Sequence, residues 1–380
     1  MRMLDLLTHT PFPWRNGNSI RFLVDGHQFY PAMLKGIENA KKYILMEMYL
    51  FESGKVADKF VNAFIAAERR GIDVQLLVDA YGGLGLSKDD RLRLLHSGVL
   101  LVFYNPLTFR KLKKNLFRTH RKYLLIDGVR VFVGGAGITD DFQGENAWRE
   151  TVVEVQGDVV LDWQILFTKN FKQWSDSVVP ECAEFSKAIT SKGIKGIPAR
   201  VAFTTGGARL EIKKVLLNRM NDSSNAIWFA SAYFIPSRKI RKALRKAAIN
   251  GKDVRLLLPG KATDHPAVRY ASRRYYARLL RYGVRIFEYQ GRFTHTKMVL
   301  IDDWLTIGSS NMDRWNFRWN LEANQEIKNE EITKQAYKIM QDDFNNCTEI
   351  RYYEWTKRSH FQRFKEWLWG RLDIILMKYL

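Results

Sequence analysis

The chain carries one pattern of apolar segments twice, and this repetition restricts its fold more than any other feature. In the first half, Lys42 to Leu50 is a largely apolar run of strand length. Apolar residues then recur at helical spacing through Val56, Phe60, Phe64 and Ala67, before Gly71 and the strand Val74 to Val78. A helix-like segment reaches Leu95, Gly98 ends it, and Val99 to Tyr104 begins another strand. The second half repeats the order. Ala226 to Ala232 is a strand, Ile240, Leu244 and Ala247 belong to a helix, Gly251 closes it, and Val254 to Leu258 is the next strand. Tyr275 to Leu280 continues a helix, Gly283 breaks it, and Val284 to Phe287 is again a strand. RRGIDVQLLVD aligns with INGKDVRLLLP, with Asp73 opposite Asp253, and HSGVLLVF aligns with RYGVRIFE. Strands alternating with crossover helices predict an α/β fold, and its duplication predicts two related domains facing each other across a pseudo-twofold axis.

A chain of 380 residues can hold two substantial cores. The predicted organisation is a first domain over 1–185, a linker over 186–199, a second domain over 200–345 and a tail over 346–380. Gly193, Gly196 and Pro198 interrupt regular patterning in the linker. The opening MRMLDLLTHTPFPW is too short an apolar patch for a signal or a membrane span, and no run of 18 apolar residues follows. Cys182 and Cys347 have neither metal-ligand spacing nor disulfide density, so a reducing compartment is expected. The formal charge of +21 implies attraction to polyanions, either nucleic acid or anionic lipid headgroups.

The chemistry sits in two matching segments, RTHRKYLLIDG and THTKMVLIDD. Each holds His-x-Lys-x4-Asp: His120, Lys122 and Asp127 in the first, His295, Lys297 and Asp302 in the second. On a strand, residues two apart share a face, which would place each histidine beside its lysine. Two such sets, with only seven histidines in the chain, point to one composite site for phosphodiester chemistry. One imidazole can attack phosphorus while the other protonates the departing oxygen, and the lysines can offset charge on the phosphoryl oxygens. This division of labour calls for no metal or cofactor. A nucleophilic imidazole needs its second nitrogen fixed, and Glu150 and Glu322, downstream of the two motifs, are candidates. Each motif is followed by a strand and a small-residue turn, Gly134-Gly135-Ala136-Gly137 and Gly308-Ser309-Ser310-Asn311, where backbone and side-chain donors can approach a phosphate.

HRKYLLID and HTKMVLID, with GGAG and GSSN after them, resemble the phospholipase D superfamily over nearly the whole chain. The segments YPAMLKGIENAKKYILMEMYLFES, FRTHRKYLLIDGVRVFVGGAGITDDF and GSSNMDRWNFRWNLEAN look like bacterial cardiolipin synthases, in particular the shorter form without amino-terminal transmembrane helices. The resemblance implies duplicated phospholipase D-like α-β-α domains with mixed sheets. It implies His120 as nucleophile, His295 as acid and base, Lys122, Lys297, Ser309 and Asn311 as phosphate ligands, and Glu150 and Glu322 as orienting acids. Asp127 and Asp302 complete the motifs and support their architecture. The first half departs from the second, since Gly135 matches Ser309 and Gly137 matches Asn311. The implied reaction transfers a phosphatidyl group from phosphatidylglycerol through a phosphohistidine to a second phosphatidylglycerol and releases glycerol. Interception by water would give phosphatidic acid, and a nuclease is the rival use of the same histidines.

The surroundings favour lipid over nucleic acid. In KRSHFQRFKEWLWGRLDIILMKYL, Phe361, Phe364, Leu368, Leu372, Ile375 and Leu376 form an apolar stripe bordered by basic residues, with Trp367, Trp369 and Tyr379 suited to a headgroup interface. Phe109 to Arg118 brings apolar and basic side chains next to His120. Residues 261–278 form a candidate opposing rim, with Tyr270 and Arg273 as headgroup contacts. The expected partners are anionic phospholipids, at the cytoplasmic face of a bacterial inner membrane, with peripheral attachment.

Overall fold

The computed structural model describes residues 10–110, 112–181, 196–206 and 209–379. Read outward from the junction between the halves, the first half orders its strands Arg15–Val24, Thr151–Gln156, Arg130–Gly134, Lys122–Ile126, Tyr43–Met48, Asp73–Asp79 and Leu100–Tyr104. The second half orders them Ile197–Thr205, Asn320–Lys328, Trp304–Gly308, Met298–Ile301, Ala226–Ala230, Asp253–Pro259 and Arg285–Tyr289. These are the same positions in the repeat, taken in the same order. Arg15–Val24 pairs antiparallel with Ile197–Thr205, which joins both halves into one mixed sheet.

The three outermost repeat strands of each half are parallel. Parallel neighbours need crossovers, supplied by helices such as Lys55–Arg69 and Arg238–Ile249. Their apolar stripes are those expected from the sequence: Val56, Phe60, Phe64 and Ala67 are buried in one, Ile240, Leu244 and Ala247 in the other. Toward the junction the pairing is antiparallel, through tight returns at Asp127 and Asp302.

Instead of two cores, the described residues form three apolar clusters. Two are confined to one half each, under the outer helices. The third crosses the junction: Leu45, Leu125 and Val153 from the first half join Leu257, Leu300 and Leu305 from the second, beneath helices Val160–Phe171 and Glu330–Asn345. Alternating side chains on strands buried on both faces feed the shared and outer clusters in turn, as with Ile44 and Leu45. The linker region lies largely outside the described residues, and its last three positions already belong to the strand Ile197–Thr205. The tail likewise begins inside the fold, because Cys347–Ile350 adds an antiparallel edge strand to Arg285–Tyr289. Its helix His360–Tyr379 then packs on Pro266–Arg273.

Candidate active site

The two histidines are not on the strands. Regular pairing starts at Lys122 in one half and Met298 in the other. Just before those strands the chain crosses to the opposite half. Arg118–Thr119 pairs parallel with Asn320–Leu321, and the His120 amide donates to Leu321 O at 2.9 Å. Thr294 bridges Arg149, and the His295 amide donates to Arg149 O at 2.8 Å. Each histidine backbone is thus tied to the residue preceding the other half's glutamate.

The side chains follow the same crossing. His120 Nδ1 lies 2.9 Å from Glu322 Oε1, and His295 Nδ1 lies 2.8 Å from Glu150 Oε2. Both glutamates are fully buried, and the histidines are 8% and 7% exposed. Arg149 braces the Glu150 strand, with a bidentate pair to Asp343 at 2.7 and 2.8 Å and a donation to Glu150 O at 2.6 Å.

Lys122 Nζ donates to His120 O at 2.6 Å and sits 4.8 Å from the Tyr49 ring centroid. Lys297 Nζ donates to His295 O at 2.5 Å and lies 3.0 Å from His295 Nδ1. Burial disfavours the charged lysine, which lowers Lys122 to about 7 and Lys297 to about 8. Burial also raises Glu150 to about 7. Both histidines fall below their ordinary value, first by burial and then by the neighbouring lysine charge; for His120 these outweigh the opposing pull of Glu322. A neutral imidazole with an available lone pair is the form these surroundings favour.

The halves differ around this frame. Ser309 donates its hydroxyl to Glu322 Oε2, and the Ala323 amide donates to Ser309 Oγ at 3.1 Å. At the matching position, a Cβ on Gly135 would come 2.2 Å from Glu150 Oε2 and 3.0 Å from Lys297 Nζ. Glycine there is what lets Lys297 approach the Glu150–His295 pair. Asn311 accepts from the Tyr233 amide at 3.4 Å, while its buried Nδ2 has no partner among the described residues. That leaves a donor for a phosphoryl oxygen.

Asp127 and Asp302 are at the far ends of the motif strands, roughly 20 Å from the histidines at about 3.3 Å per residue. Asp127 accepts from the amides of Lys41, Lys42 and Tyr43 at 2.9, 2.7 and 3.0 Å. Asp302 does the same for Ser224, Asn225 and Ala226 at 2.7, 2.9 and 3.0 Å. Both hold left-handed φ, +55° and +52°, and close the turn that starts the neighbouring strand. Arg273 is occupied elsewhere: it donates to Glu288 at 2.6 Å and to Glu366 of the C-terminal helix at 3.2 Å, and stacks on Trp355. Tyr270 lies under Lys365 of the same helix, 5.6 Å from ring centroid to Nζ. Both fasten the tail to the rim.

Several flanking residues escaped the sequence reading. Tyr49 packs on His120 with centroids 4.8 Å apart, while Phe142, Trp148 and Phe293 surround His295 at 5.6, 5.4 and 5.7 Å. Tyr233 hydrogen-bonds Asp264 at the rim. The signal was a tyrosine at the turn after the strands Tyr43–Met48 and Ala226–Ala230, one position out of register in MEMYLF and SAYFIP.

The strand order and the paired His-Lys-Glu sets define a protein of the phospholipase D superfamily. More narrowly, the chain belongs to the family described as "Cardiolipin synthase, PLD-like domain", which matches residues 33–174 and 216–344. It is 33% identical to cardiolipin synthase 2 of Bacillus cereus over 364 residues, covering 94% of this chain and 70% of the relative. It is 28% identical to the probable cardiolipin synthase YwiE of Bacillus subtilis over 355 residues, covering 92% and 70%. The crystal structure of phosphatidylserine synthase from Haemophilus influenzae superposes with a TM-score of 0.73 over 98% of this chain and 97% of that one, at 16% identity, which is a likeness of fold.

Proposed function

We propose that the chain is a cardiolipin synthase, a phosphatidyltransferase that uses one phosphatidylglycerol as donor and a second as acceptor. The observation that carries this reading is the crossed pairing of each buried histidine with the glutamate of the other half, at 2.9 and 2.8 Å, with a lysine beside each. Neither half can work alone, and the two histidines act on one phosphorus.

The differences between the halves support His120 as the nucleophile. Glu322 receives the Ser309 hydroxyl on one oxygen and faces His120 Nδ1 with the other, an arrangement suited to a carboxylate accepting the Nδ1 proton. That tautomer leaves the Nε2 lone pair free to attack. His295 Nδ1 instead faces Lys297 at 3.0 Å and Glu150, whose carboxyl is raised to about 7. Both neighbours can offer a proton to Nδ1, so His295 carries its own on Nε2.

In the first step His120 Nε2 forms a bond to phosphorus and the bond to the headgroup glycerol oxygen breaks. That oxygen takes the Nε2 proton of His295, whose bare Nδ1 gains a proton from the carboxyl of Glu150 in exchange. In the second step a hydroxyl of the acceptor gives its proton to His295 Nε2, and Nδ1 returns a proton to Glu150. The new oxygen–phosphorus bond forms, and the histidine–phosphorus electron pair returns to His120. Lys122, Lys297 and the Asn311 amide group offset the charge on the phosphoryl oxygens.

Attachment to a membrane surface is supported by the C-terminal helix, which is inverted relative to a core-packing helix. Its inward stripe is Glu366, Gly370 and Asp373, while Phe361, Phe364, Trp367, Leu368, Trp369 and Leu372 are on its exposed side. Glu366 is bound by Arg273 and Arg358, and Asp373 by Arg314. An aromatic, apolar outer face on a chain of charge +21 suits the headgroup layer of an anionic bilayer. No described helix is long and apolar enough to cross a membrane.

The test is purified protein with phosphatidylglycerol in mixed micelles. Cardiolipin and glycerol in equal amounts are expected. Phosphatidic acid as the only lipid product would make the chain a hydrolase, and cleavage of nucleic acid without lipid turnover would overturn the lipid assignment.

A further inference from the structure

Away from the histidine centre, a cavity of about 490 Å³ lies between helix Arg238–Ile249 and the segment around Arg274 to Leu279. Its walls carry Arg238, Arg241, Lys242, Arg245, Arg274 and Arg278 around Tyr275 and Leu279. Arg238, Arg241, Lys242 and Arg245 follow one another at helical spacing, so a single helix face supplies four cations. Among the described residues, none of the six forms an ion pair with a carboxylate. The nearby Asp373 is already engaged by Arg314.

Three of the guanidiniums are held in place without neutralisation. Arg241 and Arg274 stack on the buried Tyr275 ring at 4.3 and 4.5 Å, and Arg245 stacks on Tyr282 at 5.2 Å. Like charges confined this way repel, and burial together with the adjacent Arg274 and Arg314 charges pushes Arg241 below its ordinary value. An anion filling the cavity would remove that cost, and planar guanidiniums suit phosphate oxygens.

The setting selects the source of the phosphate. Arg274 donates to Gly370 O, so this cavity and the C-terminal helix share a wall. The aromatic outer face of that helix lies across the helix from Gly370, within one helix diameter, roughly 10 Å, of the cations, so that both can meet one lipid surface. A soluble anion needs no such apolar neighbour. We propose that this cavity is a second phosphate site, separate from the catalytic centre, that holds the headgroup phosphodiester of an anionic phospholipid at the membrane surface. It rests on the reading of the chain as a lipid enzyme, but its test does not depend on turnover.

The test compares full-length wild type with two triple variants of equal charge loss. One is Arg238→Gln/Arg241→Gln/Arg245→Gln, in the cavity; the other is Lys59→Gln/Arg69→Gln/Lys88→Gln, on the exposed surface of the first half. Binding to vesicles of phosphatidylglycerol and phosphatidylcholine is measured by co-sedimentation, with and without 10-fold excess inorganic phosphate over lipid. The cavity variant should lose roughly a hundredfold in affinity for phosphatidylglycerol vesicles, at about fivefold for each basic residue. The surface variant should lose less than tenfold, and inorganic phosphate should leave wild-type binding unchanged. Equal losses in the two variants would reduce the effect to net charge and overturn the site. Displacement by inorganic phosphate would assign the cavity to a soluble anion and also overturn it. An Arg→Lys triple at the cavity positions, which keeps the charge but loses the stacked, planar guanidiniums, should recover no more than about tenfold of the binding; full recovery would reduce the effect to charge alone and overturn the site. Turnover of monomeric short-chain phosphatidylglycerol should stay at the wild-type rate in all variants, whereas its absence in wild type would instead defeat the catalytic assignment.

Discussion

Replacing Glu322 by Gln should remove the nucleophile without removing a single catalytic heavy atom from the histidines. Ser309 donates its hydroxyl to one Glu322 oxygen, and the Ala323 amide donates to Ser309 Oγ at 3.1 Å. A glutamine that keeps the shorter Ser309 bond to its carbonyl, in preference to Ser309 turning to Ala323 O at 3.3 Å, presents its NH2 to His120 Nδ1. That reverses the tautomer and puts a proton on Nε2, where the lone pair is needed. The lost charge-assisted bond accounts for about 1.5–3 kcal/mol, or roughly 10- to 150-fold at about 1.4 kcal/mol per tenfold. Misplacing the proton adds to this, within the roughly 10²- to 10⁴-fold range of acid–base contributions. A combined loss of about 10³- to 10⁴-fold in kcat is expected for Glu322→Gln. Adding Ser309→Ala frees the amide to turn and should restore about tenfold. Glu150→Gln behaves differently, because an NH2 facing His295 Nδ1 preserves the Nε2 proton while removing its resupply. It should lose roughly 10²- to 10⁴-fold with phosphatidylglycerol. With a phosphatidyl nitrophenyl ester, whose leaving group needs no proton, it should form the covalent intermediate within about tenfold of the wild-type rate. Rapid-quench measurement of nitrophenol release separates the cases. Equal losses for the two variants on the nitrophenyl ester would refute the assignment of unequal roles to His120 and His295.

Further outcomes follow from the same geometry. Lys122 and Lys297, lowered to about 7 and 8, must be charged to hold a phosphoryl group, so kcat/KM for monomeric phosphatidylglycerol should fall as pH rises through that interval. The same lysines bind fewer protons folded than unfolded between those values and 10.5, so their contribution to stability rises with pH there, each by up to about 1.4 kcal/mol per pH unit. Glu150, raised from 4.5 to about 7, binds more protons folded, so its contribution falls as pH rises between those values. Denaturant titrations should show a stability minimum near neutral pH, and Lys122→Met should flatten the alkaline rise; an unchanged profile would contradict the burial of these charges. Asp127→Ala loses three amide hydrogen bonds and should cost about 2–4 kcal/mol in chemical denaturation. Its kcat/KM should stay within about threefold, and a large kinetic loss at unchanged stability would return Asp127 to the chemistry. Phe364→Ser/Trp367→Ser removes two exposed side chains, each contributing about 1.5–3 kcal/mol when fully buried. Binding to phosphatidylglycerol vesicles should weaken by at least tenfold at unchanged thermal stability, and intact binding would detach the outer helix face from the membrane.

The repeat was legible because strand and helix periods are local properties, and Tyr43–Met48 and Ala226–Ala230 sit where the apolar runs place them. The histidines, lysines and glutamates were legible as residue types demanded by phosphodiester chemistry. Their partnership was not. Both glutamates follow their own motif in sequence, and only the pairing of Arg118–Thr119 with Asn320–Leu321 and the bridge between Thr294 and Arg149 turn the two histidines toward the opposite halves. That crossing also draws His120 and His295 off the strands on which alternation alone would put them. The shared core was hidden for a related reason, since long-range pairing of Arg15–Val24 with Ile197–Thr205 merges apolar faces that look separate along the chain. In the tail, the helical wheel reveals an apolar stripe but not which side faces the protein. Arg273, Arg358 and Arg314, waiting on other elements for Glu366 and Asp373, decide that.

The passage of one phosphorus between two unequal histidines, drawn together from both halves, is the step proposed for this enzyme. It is tested most directly by quenching the enzyme during turnover of phosphatidylglycerol labelled in its phosphate and sequencing the labelled peptide. An acid-labile phosphatidyl group is expected on His120, absent in His120→Ala and accumulating when the acceptor is withheld. Label on His295, or turnover to cardiolipin with no covalent species on either histidine under single-turnover conditions, would contradict it.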